Sequence, residues 1–450
     1  MAVSNTASSF SSDIESYIAD ETLPLAVRQL VAYQFGDPLE LPEGRGTTYT
    51  ATRYNRIPLP YSPLSEGVPP IGESMTISQV TATAQQWGDS VTITDVAELT
   101  IKHPLFKKAI ELCGLQIAET LERNTYNSLN AGTQVNYAGS VGSRFALGAS
   151  NVMSLHEVNR AVATMKTLGA PRFMGDEMTD TKIDAEQGGA RASNNSRTTP
   201  HFVSLIHPLV VGDMRENSTV VTAWSYSDIN RLYNAEIGEL GGVRFCESNM
   251  IPSWTGLAAR TVTGSSSGGT IPAGTYYVVV TGSDTQNQYE SQICQISSSV
   301  VLTGTTSSVS VSLPNVSGYT WNVYIGTSST VPANLGTCVL GPTSGPMAGQ
   351  AVQLAGNQTV TITGIGVAQT PPAAVATGIT VYPTYFIGRG AYGQVMLKDV
   401  EFSYLKDADK SDKLNQLRVV GWKCFYGTLI ENNQFFMRTE AASAFASTFS

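Results

Sequence analysis

The sequence predicts an α+β protein: a body of strands and helices organised on one long helix, interrupted by an all-β module. Three observations predict it. A helical period runs through residues 95–132, the composition changes sharply over Thr261–Gly378, and the mixed style of the first part returns from 379 to the end.

The long helix comes first. Phe106, Ile110, Cys113, Ile117 and Leu121 recur every three or four residues and make one apolar face. Lys107, Lys108, Glu111, Glu119, Glu122 and Arg123 fall mostly off it. Pro104 fits a first helical turn, where a missing N–H costs nothing, and Ala131-Gly132 supplies a stop. About 27 helical residues would make a rod of roughly 40 Å, long enough to serve as a spine for a sheet.

The 450 residues allow two or three domains. The net charge of −9 argues against a protein that coats nucleic acid, which would show basic patches. No run of eighteen apolar residues occurs, so no membrane span is expected. The start, MAVSNTASSFSSDIESYIAD, has neither the basic region nor the apolar core of a signal peptide. Five scattered cysteines (Cys113, Cys246, Cys294, Cys338, Cys424) form no CxxC and are expected to be reduced core thiols. Cys294 and Cys338 share one segment, but their spacing does not require a pair.

Taken in order, 1–40 is an N-terminal arm whose amphipathic piece, LPLAVRQLVAYQF, offers Leu25, Leu30 and Phe35 to a neighbour. Residues 41–94 form an extended two-stranded loop. TTYTATRY and MTISQVTATAQQW alternate on either side of a Pro/Gly-rich tip that is incompatible with a helix. Such a hairpin, weakly apolar on both faces, needs another surface. Residues 95–256 carry the spine helix and the body. SLHEVNRAVATMKTLGA has Ser154 as N-cap, a Leu155–Val158–Val162–Met165 stripe and Gly169 as stop. Residues 175–200 are a polar loop, and HFVSLIHPLVVGDMRE is a buried strand running into a short helix. After it come a short helix within SYSDINRLYNAEIGEL, a glycine turn and a strand at Val243–Cys246. The module, 257–378, has only two charged residues from Thr261 to Gly378, Asp284 and Glu290, and strands separated by Pro, Gly and Asn. That is the pattern of a β-sandwich. Residues 379–450 return to the body, beginning with a hairpin at 379–402.

No catalytic constellation emerges. GRGAYG (Gly388, Gly390, Gly393) matches GxGxxG, but QVMLKDVEF after it reads as a strand, whereas a dinucleotide loop opens a helix. His103 and His207 each precede proline and are expected as turn or cap residues. His201 and His207 would share one side of a regular strand, yet no Cys or carboxylate pattern joins them as metal ligands, and His156 stands alone. Asp176, Glu177, Asp180 and Asp184 lack EF-hand spacing. Catalytic, cofactor-binding and metal residues are therefore expected to be none. Tyr276, Tyr277, Tyr289, Trp321 and Tyr324 could contact a sugar or a partner, but are expected to fill the sandwich core.

The order of parts resembles the major capsid proteins of tailed bacteriophages, the Johnson fold. GTTYTATRYNRIPL with LSEGVPP, LERNTYNSLNAG, HFVSLIHPLVVGDMRE, LYNAEIGELGGVRFCES, TVYPTYFIGRGAYG and VVGWKCFYGTLIENNQFFMRTE look like the branch of large-genome podophage coat proteins. The resemblance implies peripheral and axial domains, with the two-stranded loop lying across a neighbouring subunit. It implies an immunoglobulin-like module projecting outward, and a non-enzymatic chain that assembles with itself into hexamers and pentamers around double-stranded DNA, without reading its sequence. A scaffolding protein acting in trans and a portal are the implied partners. A decoration protein or host surface glycans are candidates for 257–378. The implied location is the virion, after assembly in the bacterial cytoplasm. Residues 41–94 contain no lysine, so crosslinking through that loop is not expected. A cargo-enclosing nanocompartment shell of the same fold and a carbohydrate-binding β-sandwich protein are the alternatives.

Overall fold

The computed structural model describes residues 31–42, 44–59, 63, 72–100, 105–173, 200–216, 235–284, 289–329, 335–338, 354–355, 358–365, 370–405 and 416–446. The chain divides into two compact units. The first draws on Gln85–Thr120 and Lys398–Tyr426, and the second on Gln29–Ala84, Leu121–Leu397 and Gly427–Ser450. The spine helix, Leu105–Asn130, has 26 residues and passes from one to the other. A short helix, Asp95–Thr100, precedes it. Pro104 lies outside the described residues.

In the first unit, strand Gln85–Thr94 runs antiparallel to Leu417–Tyr426. Val420, Trp422, Cys424 and Ile93 are buried, as are Ala109, Cys113 and Ile117 of the spine. The predicted stripe holds at Cys113 and Ile117, but Ile110 is 44% exposed. The buried line steps by four through Ala109, and a residue one position further points about 100° away. Gln116 bridges both strands: its Nε2 donates to Asp89 at 2.6 Å and its Oε1 accepts from Trp422 Nε1 at 3.0 Å.

The second unit is built on a sheet centred on Thr380–Ile387. That strand pairs antiparallel with Phe436–Ala442, Phe202–Ile206 and Trp254–Leu257. Phe202–Ile206 lies parallel to Val243–Glu247, as befits a run buried at every position. Glu236–Leu240 is a further strand that the sequence reading missed; Gly241 and Gly242, both at positive φ, turn it into Val243. The short helix expected just before it falls largely on 217–234, outside the described residues. One face of the sheet (Phe202, Ile206, Phe245, Phe386, Met437) packs on helices Leu155–Thr167 and Pro208–Arg215. The other (Val203, Leu205, Tyr385, Ile387, Phe436) packs on Tyr126 and Leu129 at the end of the spine and on Val31, Ala32 and Phe35. Gly132 stops the spine where any side chain would meet the Phe436 ring.

The hairpin expected at 379–402 does not form. Thr380–Ile387 stays in the central sheet, whereas Tyr392–Leu405 pairs in parallel with Asp37–Glu40 and belongs to another sheet. The GRGAYG turn redirects the chain between them: Gly388 lies tight against the Pro171 and Phe435 carbonyls, and Gly390 has φ +70°.

Residues 257–365 contain two facing sheets. One holds Gly274–Asp284, Glu290–Cys294 and Tyr319–Gly326, and the other Val262–Ser265, Ser308–Ser312 and Thr359–Ile362. Tyr276, Val278, Val280, Val309, Val311, Trp321 and Ile362 fill the space between. The first of these sheets continues into the body, because Glu290–Cys294 lies parallel to Trp254–Leu257.

Candidate functional site

Three places carry more structure than a core requires. The first is the two-stranded loop. Thr48–Tyr54 pairs antiparallel with Ile77–Thr83 and forms a sheet of its own. At its root, Ala82 and Ala84 are buried against Leu41, Val395 and Leu429. Away from the root, Tyr54, Ile57, Leu59, Met75 and Ile77 are exposed, Leu59 at 83%. Apolar side chains grouped on an extended element with no core mark a contact surface.

The second is the docked segment 31–41. Glu122, expected off the apolar face, is fully buried and receives this segment. Its Oε1 accepts from the Val31 and Ala32 N–H groups at 2.8 and 2.7 Å, and its Oε2 from Tyr33 N–H at 3.1 Å. The carboxylate thus satisfies the free donors that open the single helical turn Ala32–Phe35. The Tyr392 hydroxyl donates to Ala32 O, and Gln394 Nε2 to Tyr33 O at 2.7 Å. Burial raises the Glu122 pKa against the pull of the three N–H groups. Asp37 and Glu431 are raised by burial too, Asp37 despite Arg389 and Glu431 with help from Asp37. Phe35 is buried as an anchor; Leu25 and Leu30 lie outside the described residues.

The third is a buried ion cluster beside the module. Arg144 Nε and Nη2 donate to the two oxygens of Glu440, each at 2.6 Å. Arg438 Nε lies 3.0 Å from the same carboxylate and its Nη1 donates to Asn130 O. The Arg144 guanidinium also stacks 3.8 Å above the Trp254 ring. Glu440 is fully buried, so two guanidiniums and a fork-shaped hydrogen-bond pair hold its charge.

The residues weighed as chemistry are dispersed. His207 Nδ1 accepts from Leu209 N–H at 3.3 Å and caps Pro208–Arg215, as expected of a residue before proline. Its ring lies 4.6 Å from Tyr382, and burial lowers its pKa to about 4. His201 is buried against Phe173, and His156 is exposed. His103 and the acidic group 176–184 lie outside the described residues. Cys113, Cys246, Cys294 and Cys424 are free, buried thiols whose pKa burial pushes up, Cys294 to about 12. Among the described residues no cluster suited to a metal occurs, and no helix is long and apolar enough to cross a membrane. Tyr276 and Trp321 fill the sandwich core as expected, while Tyr324 packs with Val279 elsewhere. Tyr324 OH and Asn322 Nδ2 both donate to Glu290 Oε1 at 2.6 Å.

Glu122 and Glu440 had signals that went unread. Glu122 sits in step with Tyr126 and Leu129, so it is a charge inside the helix's own apolar line. Arg438 and Glu440 share one face of an otherwise apolar strand.

No family model and no curated protein matches the sequence. Solved structures do. The capsid of cyanophage Pam1 superposes with a TM-score of 0.53 at 10% identity, over 99% of this chain and 100% of that one. The capsid of cyanophage P-SCSP1u does so with a TM-score of 0.50 at 11% identity, over 98% and 97%. These likenesses run over almost the whole chain, and it has the fold of a phage capsid protein.

Proposed function

We propose that this chain is the major shell subunit of a tailed phage, assembling as hexamers and pentamers of an icosahedral capsid around double-stranded DNA. The observation that carries the reading is the fold likeness to two cyanophage capsids over essentially the full length of both chains. The two-stranded loop supports it: rooted on Leu41 and Leu429 and apolar beyond, it suits a surface on a second copy. Repeated use of one surface around a ring gives heterologous interfaces that close, and many weak contacts along extended arms add through effective concentration. The net charge of −9 keeps the shell from adhering to packaged phosphates. Residues 257–378 are the outward-facing, immunoglobulin-like module in this reading, and no catalytic role forms part of it.

Electron microscopy of the protein expressed alone and with its scaffolding protein tests the proposal. Closed shells, or rings of five and six, are expected. A monomer at high concentration under both conditions would overturn it. Particles that enclose protein cargo in place of DNA would replace the phage reading with the nanocompartment one.

A further inference from the structure

The module is joined to the body at two chain crossings, and both are unusually tied down. At the first, Trp254–Leu257 is a strand of the central sheet, with Gly256 wedged against the Ala376 carbonyl so closely that no side chain fits. At the second, Gly378 N–H donates to Gly256 O at 2.8 Å, and Gly256 N–H to Ile379 O at 2.9 Å. Ile293 of the module and Val375 beside the second crossing are both fully buried in the body's own core. One side chain touches both crossings. The Arg144 guanidinium stacks on Trp254 at the first, and its Nη1 reaches the Ala373 carbonyl at the second at 3.5 Å. Its other nitrogens are clamped by Glu440 on the body strand Phe436–Ala442. A cleft of about 370 Å³ opens here, in which Tyr289 and Glu290 of the module face Arg144 and Arg438.

We infer that Arg144 is a positioning residue that locks the 257–378 module to the body in one attitude, so that the module is a rigid extension of the central sheet and not a tethered appendage. The chemistry requires arginine. Only a planar guanidinium can receive a carboxylate in bidentate fashion along one edge, lie flat on an indole and retain a donor for a carbonyl. The 371–374 PPAA stretch is held at Ala373, whose carbonyl faces Arg144 Nη1. For a shell subunit the consequence is a module presented at a fixed angle on every copy. That consequence rests on the proposed function; the lock itself does not.

Hydrogen exchange of the full-length protein, followed by mass spectrometry, tests the lock without any need for particles. In the wild type, backbone amides at 254–257 and 375–379 should be as protected as those of Phe436–Ala442. Exchange there as fast as in the exposed Thr48–Tyr54 strand would overturn the inference with no variant needed. Arg144→Lys keeps a cation for Glu440 but loses the fork and the stack; exchange at both crossings should rise on the order of tenfold. Exchange in Ser308–Ser312, inside the module, and in Leu155–Thr167, inside the body, should stay at wild-type rates. Arg144→Met, in which Arg438 remains 3.0 Å from Glu440 as its counter-charge, should behave alike at the crossings. Unchanged crossings, or a rise spread evenly over the chain, would reduce Arg144 to an ordinary core residue and overturn the proposal. If shells form, module density in Arg144→Lys particles should blur while the shell floor stays sharp; density as sharp as in the wild type would count against the lock.

Discussion

Glu122 shows how one side chain can decide where a chain segment lies. Its carboxylate is the acceptor for three consecutive backbone N–H groups, two of them in fully buried residues. Glu122→Ala strands those donors, and a loss of about 2–4 kcal/mol is expected in urea unfolding. The pH dependence has a definite sign. A carboxyl raised in the folded state binds protons more readily there than in the unfolded chain, so its contribution becomes more favourable as pH falls through the folded pKa and levels off below the ordinary Glu range. The cost of Glu122→Ala should therefore be larger near pH 5 than near pH 8, and a smaller cost at pH 5 would show that hydrogen bonding outweighs burial. The thiols make a second case. Cys246 and Cys294 are about as buried as a residue can be and their pKa is pushed up, so neither is a ready nucleophile. Mass-spectrometric mapping after iodoacetamide treatment at neutral pH should find both unmodified in the native protein and modified in urea.

Among the elements, the module core turns on Trp321. It is fully buried, and Gly282 on the neighbouring strand lies against its ring with no room for a methyl group. Trp321→Ala should cost about 3–5 kcal/mol, read as a lower unfolding midpoint of the module. Much at this scale was legible beforehand. The 155–167 helix follows its Val158–Val162–Met165 stripe and turns out at Gly169, which has φ +74°. The spine stripe is right at Cys113, Ile117 and Leu121 and wrong at Ile110, because Ala109 takes the buried line. The hairpin expected at 379–402 failed for another reason. Its two strands have ordinary strand periodicity, but each found a better partner far along the chain, Phe436–Ala442 for one and Asp37–Glu40 for the other.

For the molecule as a whole, the two-stranded loop separates stability from assembly. Leu59 and Ile77 are 83% and 54% exposed, so Leu59→Asp with Ile77→Asp should change the unfolding free energy of the subunit by less than about 1 kcal/mol. In the shell reading the same variant should lose rings and particles in sedimentation velocity runs with scaffold. Wild-type particle yield would remove this surface from the assembly contacts.

By itself the sequence determined the classes of element, the two compositional styles, the absence of any spaced catalytic motif and the order of parts. Those follow from period, propensity and composition, which are local and survive in a string of letters. Only the tertiary structure decided which strands share a sheet, that Glu122 faces inward, and that Arg144 meets Glu440 at a separation of 296 residues. Partner choice is non-local: a strand's pattern states which face must be covered, not what covers it. A buried charge is tolerated only once its counter-charge has been delivered by the fold.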